Sequence, residues 1–240
     1  MSFFRNHNNS KINHVNRSIA LITNYAPQDV ISEEFRTLRT NILYSNADKQ
    51  IKTLVFTSAG PGEGKSTVSS NVAVTFADQG LKTLLVDADM RKPVIDATFA
   101  IENINGLSDF LSQRISDLNM AIRQTSINNL YVLPTGHIPP NPAELLSSKR
   151  MAALIAMLED SFDLVIFDLP PLINVTDAQI LASQTDATVL VVPYGIAEKA
   201  MVNEAKTLLN KVHANLIGAV MNRVPKSERH QYYGKYYGKY

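Results

Sequence analysis

Two kinds of apolar pattern alternate along this chain. Short continuous apolar runs predict strands buried on both faces: Thr53–Thr57, Lys82–Val86, Leu130–Leu133, Asp163–Phe167, Ala187–Val192 and Leu216–Val220. Between them, helical spacing takes over. Ile31, Phe35, Leu38 and Ile42 predict an amphipathic helix from Ser32 to about Tyr44, with Ser32 as its cap. Ser66–Asp78 predicts a helix that Gly80 terminates, and Leu107–Leu111 and Ile115–Arg123 read as shorter ones. Asn141-Pro142-Ala143-Glu144 opens another, with Asn as cap, Pro in the first turn and Glu completing a capping box. The alternation predicts an α/β fold, a mainly parallel doubly wound sheet with helices on both faces.

The flanks differ. Residues 1–28 are polar and Asn-rich and predict a flexible arm; 29–225 predict one folded domain; 226–240 predict a mobile, basic, tyrosine-rich tail. Met1–Asn16 lacks the apolar stretch of a signal peptide, and no apolar run approaches the ~18 residues of a membrane span. With no cysteine, disulfides and thiolate metal sites are excluded, and a cytoplasmic setting is expected. The chain holds 23 basic and 22 acidic residues, a balance that gives no global case for nucleic-acid binding.

The chemistry centres on Ala59-Gly60-Pro61-Gly62-Glu63-Gly64-Lys65-Ser66-Thr67, between a predicted strand and a predicted helix. This is a phosphate loop in which Ala59 replaces the usual first glycine. Gly60, Gly62 and Gly64 let backbone amides turn toward phosphate oxygens, and the helix beginning at Ser66 adds its positive end. Lys65 is expected on the β- and γ-phosphates and Ser66 on Mg²⁺. The setting predicts a P-loop NTPase that binds ATP and Mg²⁺.

Two acidic strand ends complete the set. Leu84-Leu85-Val86 leads into Asp87-Ala88-Asp89-Met90-Arg91-Lys92, and Leu164-Val165-Ile166-Phe167 ends in Asp168. Ligands of open α/β sheets bind at the carboxyl ends of strands, so Asp87 and Asp168 are candidate metal ligands. Asp87 and Asp89, with Lys65, are candidate catalytic groups. Arg91 and Lys92 suit phosphate, an acidic partner or plain solvent. Asn222-Arg223, after the last predicted strand, is a candidate contact for the adenine, or a plain turn.

With these residues the chain resembles the bacterial tyrosine kinases of capsule and exopolysaccharide synthesis, from about Asp29 to the end. The resemblance rests on the phosphate loop, Asp87-x-Asp89-x-Arg91, the Walker B Asp168 and Pro139-Pro140-Asn141-Pro142-Ala143-Glu144-Leu145-Leu146. It rests also on Glu33, Arg36 and Arg39, which match an oligomerisation helix, and on the cluster Tyr232, Tyr233, Tyr236, Tyr237 and Tyr240. It implies autophosphorylation of those tyrosines and a ring-shaped homo-oligomer, an octamer in the family pattern. It also implies a cognate tyrosine phosphatase and a membrane adaptor that recruits the cytoplasmic kinase. In fold the family is similar to the ATPases that place division sites and partition chromosomes. Those carry a lysine where this chain has Gly60. A positioning ATPase without kinase activity, and a scaffold that binds nucleotide without turnover, are the rival readings.

Overall fold

The computed structural model describes residues 18–45 and 50–228. Its centre is a seven-stranded sheet in the order β3-β4-β2-β5-β1-β6-β7. The strands are β1 (Thr53–Ser58), β2 (Thr83–Asp87), β3 (Arg123–Gln124), β4 (Leu130–Leu133), β5 (Leu164–Asp168), β6 (Ala187–Pro193) and β7 (Leu216–Asn222). All neighbours pair parallel except β3 with β4.

Period-two alternation in the central strands feeds two separate cores. Val55, Leu84, Val86, Val165 and Phe167 point to one face and Leu54, Phe56, Leu85, Leu164 and Ile166 to the other. The second face is covered by α2 (Val30–Leu43) and α3 (Lys65–Ala77), with the short α1 (Ile22–Tyr25) and α4 (Ile95–Phe99) alongside. The first face carries α5 (Leu107–Leu111), α6 (Pro142–Leu146), α7 (Lys149–Ser161), α8 (Asp177–Ala182) and α9 (Lys199–Lys211). Both faces are therefore closed, as the continuous apolar strands require. Gly80 stops the turn after α3 in the left-handed region, φ 89°, where glycine carries no steric cost.

Several local expectations are corrected. The arm expected over 1–28 is packed from residue 18 onward: Thr23 is buried and bonds the Asn71 side chain through its N–H and its hydroxyl, and Ile19 N–H donates to Thr98 Oγ1. α2 begins earlier than Ser32, because Asp29 caps it by accepting from Ile31 N–H at 2.8 Å. Ser32 is instead buried inside the helix and donates to the carbonyls of Ile22 and Ala26, tying α1 down. The helix expected over Ile115–Arg123 shrinks to one 3₁₀ turn, Leu118–Met120, since Arg123 already pairs with Val132 in β3. At α6 the box does not form: the Asn141 amide donates to the Glu144 carboxylate rather than the side chain accepting a backbone N–H. Residues 226–228 make a helical turn, and the tail beyond them lies outside the described residues, as do residues 1–17.

Candidate active site

The sheet order brings the three motifs together. β5 lies between β1 and β2, and Asp87 is the register partner of Asp168. The phosphate loop leaves the end of β1 next door, so residues near 65, 87 and 168 meet at the carboxyl ends of the central strands.

α3 starts at Lys65, directly after Gly64, whose backbone is left-handed at φ 96°. The buried Glu63 folds its carboxylate back into the loop, accepting from Ala59 N–H at 3.0 Å. Burial holds the Glu63 carboxyl above the ordinary range, against the pull of the Gly60 and Ala59 amides and the Arg223 charge.

Lys65 extends toward the acidic strand ends and ion-pairs with Asp89 at 2.9 Å. Burial alone would lower its ammonium; Asp168, Asp89 and Asp87 outweigh that and hold it above the usual lysine value. Asp87 is fully buried. Its Oδ2 accepts from Val94 and Ile95 N–H, both at 3.0 Å, while Oδ1 has no hydrogen-bond partner among the described residues. Asp168 is a similar case: Oδ1 accepts from Ser69 at 3.2 Å, and Oδ2 has no hydrogen-bond partner among the described residues. Burial, then the charge of Asp168, pushes Asp87 well above the carboxylate range. Burial also raises Asp168, against the opposing pull of Lys65 and the Ser66 and Ser69 hydroxyls. Two adjacent buried carboxylates, each with an orphaned oxygen, are costly unless a cation neutralises them. With the Ser66 hydroxyl they form an all-oxygen donor set that suits Mg²⁺.

Arg91 is settled by the structure. Its guanidinium grips Asp177, the first residue of α8, through Nε at 2.9 Å and Nη2 at 3.0 Å. It thus ties the β2 end to the start of α8. Thr135 Oγ1 donates to the Asp87 carbonyl at 2.9 Å and anchors the β4 end in the same place.

Asn222 and Arg223 close β7 beside the loop. They hydrogen-bond the Glu63 and Gly62 carbonyls, respectively. Next to them an apolar groove of about 380 Å³ is lined by Ile31, Phe35 and Leu38 of α2, Val68 of α3 and the end of β7.

The predicted loop, Asp87, Asp89, Asp168, Asn222 and Arg223 thus stand together. Glu33, Arg36 and Arg39 do not join them; they lie along α2. Arg39 is buried against its own domain, where Nη1 donates to the Thr75 carbonyl at 2.7 Å and Nε has no hydrogen-bond partner among the described residues. Arg36 pairs with Glu33 and donates to the Pro27 carbonyl. Tyr232, Tyr233, Tyr236, Tyr237 and Tyr240 lie outside the described residues. Ser69 and Asp177 were missed from sequence. The signal for Ser69 was its place one turn after Ser66, and for Asp177 its place at a helix start soon after the Walker B strand.

A family model described as AAA domain matches residues 51–217. The tyrosine-protein kinase YwqD of Bacillus subtilis is 47% identical over 212 residues, covering 88% of each chain. Among solved structures, the chimerical protein CapA2B2 matches with TM-score 0.83 and 41% identity over 87% of this chain and 93% of that one. The kinase domain of Escherichia coli tyrosine kinase ETK matches with TM-score 0.81 and 31% identity over 88% and 84%. An AAA domain of this extent and this identity across nearly the whole fold make the chain a member of the bacterial tyrosine-protein kinase family.

Proposed function

We infer that the chain is an ATP-dependent protein-tyrosine kinase of capsular or exopolysaccharide synthesis that phosphorylates its own C-terminal tyrosines. The observation that carries this reading is a phosphate loop converging with three aspartates inside a fold shared, at 31–47% identity, with named tyrosine kinases.

The loop amides receive the triphosphate, and the apolar groove beside Asn222 and Arg223 has the size and lining for a purine. Ser66, Asp87 and Asp168 would hold Mg²⁺, which would supply positive charge against the phosphates. Lys65 leaves Asp89 for the phosphates and stabilises the charge that develops on the transferring group. The phenolic oxygen of tyrosine bonds to the γ-phosphorus as the bond to the β-bridging oxygen breaks, and ADP departs. The phenolic proton leaves late, because free tyrosine titrates near 10 and aspartate near 3.9. Of the two candidate carboxylates, Asp89 suits the orienting role better than Asp87. Asp87 has Oδ2 committed to the Val94 and Ile95 amides and Oδ1 kept, with Asp168, for the cation, whereas Asp89 Oδ2 is released once Lys65 turns to the phosphates.

The described residues contain no helix long and apolar enough to cross a membrane. On the family resemblance, the proposal also includes a membrane adaptor that brings the kinase to the inner face of the membrane, a ring-shaped octamer, and a tyrosine phosphatase that resets it. Purified protein incubated with γ-labelled ATP and Mg²⁺ is expected to gain label and react with anti-phosphotyrosine antibody. Release of labelled phosphate to water with no phosphotyrosine would replace this reading with the positioning-ATPase one.

A further inference from the structure

The phosphate loop is held by a strand 160 residues further along the chain. Asn222 ends β7 in register with Pro193, and Tyr194 N–H donates to its carbonyl at 2.8 Å. From that fixed position the Asn222 amide donates to the Glu63 carbonyl at 3.2 Å. Arg223 follows with left-handed backbone, φ 59°, a region that non-glycine residues seldom occupy. Its N–H donates to Asn222 Oδ1 at 2.8 Å, and the turn aims the guanidinium at the Gly62 carbonyl, 2.6 Å away.

Both acceptors are carbonyls of the loop itself. In a planar peptide the carbonyl and the following N–H point in opposite directions. Holding the Gly62 and Glu63 carbonyls on one side therefore turns the N–H groups of Glu63 and Gly64 to the other, where phosphate is received. Gly64 permits the approach: a Cβ there would stand 2.1 Å from Asn222 Nδ2. From within, the Glu63 carboxylate fastens Ala59, so the loop is secured at both ends.

We propose that Asn222 and Arg223 are positioning residues that keep the phosphate loop in its anion-receiving shape before nucleotide arrives, a task separate from contact with the base. The proposal rests on the loop being the ATP site. Preorganised donors bind an anion more tightly because no ordering cost falls at the moment of binding.

The test uses an anion without a base. Calorimetry compares ATP with inorganic tripolyphosphate, each with Mg²⁺, on wild type, Asn222→Ala and Arg223→Ala. Each variant is expected to weaken both ligands by the same factor, about tenfold, the usual effect of losing one charge-assisted or buried hydrogen bond. Weakened ATP with unchanged tripolyphosphate assigns the pair to the base alone and overturns the proposal. Amide hydrogen exchange without added ligand is the second readout. Residues 59–65 are expected to exchange faster in both variants, with β1 and β5 unchanged; unaltered exchange in the loop overturns the proposal. Arg223→Lys keeps a donor and is expected to restore binding. Arg223→Gly relieves the left-handed backbone without a donor and is expected not to; wild-type binding by Arg223→Gly also overturns it. An error in the kinase assignment would show separately, as wild-type protein that binds tripolyphosphate yet makes no phosphotyrosine.

Discussion

The Lys65 ammonium lies 2.9 Å from Asp89 Oδ2, so one carboxylate already points the loop lysine into the site. Lys65→Met removes the charge meant for the transferring phosphate while leaving α3 intact, because the side chain faces carboxylates rather than the apolar core. Phosphotyrosine formation is expected to fall by two orders of magnitude or more, on the order of the loss when one transition-state donor is removed. The circular dichroism spectrum should match wild type. Near-normal phosphotyrosine on a blot would show that another group carries the role.

Asp87→Asn should separate stability from activity. The Asp87 carboxyl is held well above its ordinary range by burial and then by Asp168. A raised folded-state value means that folding favours the protonated form. Its stabilising contribution is complete below the unfolded value, near 3.9, and is lost as pH rises through the folded one. Asparagine stays neutral at every pH, keeps an acceptor for Val94 and Ile95 N–H, and offers Asp168 a donor. Without nucleotide, the variant should melt higher than wild type at neutral pH, with the gap closing in acid. Its Mg²⁺-dependent kinase activity should collapse. A lower melting temperature at neutral pH would refute the carboxylate repulsion.

Arg91 tests the link between the β2 end and α8. Asp177 is wholly buried, whereas the Arg91 side chain is 43% exposed, so the pair falls between two known regimes. Exposed pairs contribute about 0–1 kcal/mol and breaking buried ones costs about 3–5 kcal/mol. Arg91→Ala is expected to cost about 2 kcal/mol in urea unfolding, and Arg91→Ala with Asp177→Asn less than Arg91→Ala alone. A double variant weaker than Arg91→Ala would contradict the buried-charge explanation.

The α2 surface divides into two tasks. Glu33 and Arg36 pair on the exposed face, while Arg39 is spent on the Thr75 carbonyl. Light scattering on Glu33→Ala with Arg36→Ala should show a smaller particle than wild type. Arg39→Ala should lower thermal stability before it changes particle mass. An unchanged mass for the double variant would remove this helix from the subunit interface.

The tail prediction turns on composition. Five of the nine tyrosines fall in the last nine residues, between Gly234, Lys235, Gly238 and Lys239. Mass spectrometry should place phosphate on Tyr232–Tyr240 rather than on Tyr25, Tyr44, Tyr131 or Tyr194. Ending the chain at Arg229 should abolish autophosphorylation and leave ATP affinity intact. Each phosphate adds about −1.5 to −2 charges at neutral pH, enough for several together to drive the tail from the acidic strand ends.

The sequence foretold the central architecture because the apolar strands and the glycine-rich loop are local signals. Thr53–Ser58 and Leu130–Leu133 follow directly from continuous apolar runs. Caps were harder, because Asp29 and Ser32 are both competent and only the packing of α1 decides between them. Packing also claimed Arg39 for the domain's own backbone, which spacing along a helix cannot reveal. Within the site, the individual aspartates were legible from strand ends, but their division of labour was not. It depends on which oxygens the amides of Val94 and Ile95, in the turn that follows, satisfy.

The strand order also governs when this protein becomes chemically competent. Its two buried strand-end carboxylates are neighbours only after β5, made late in the chain, takes its place between β1 and β2, made early. The restraint on the loop waits still longer, for residues 222 and 223 near the carboxyl end of the fold. Such distant pairings form slowly, after long loops have closed. A chain still emerging from the ribosome, or cut ahead of β7, therefore lacks the two contacts that hold the Gly62 and Glu63 carbonyls.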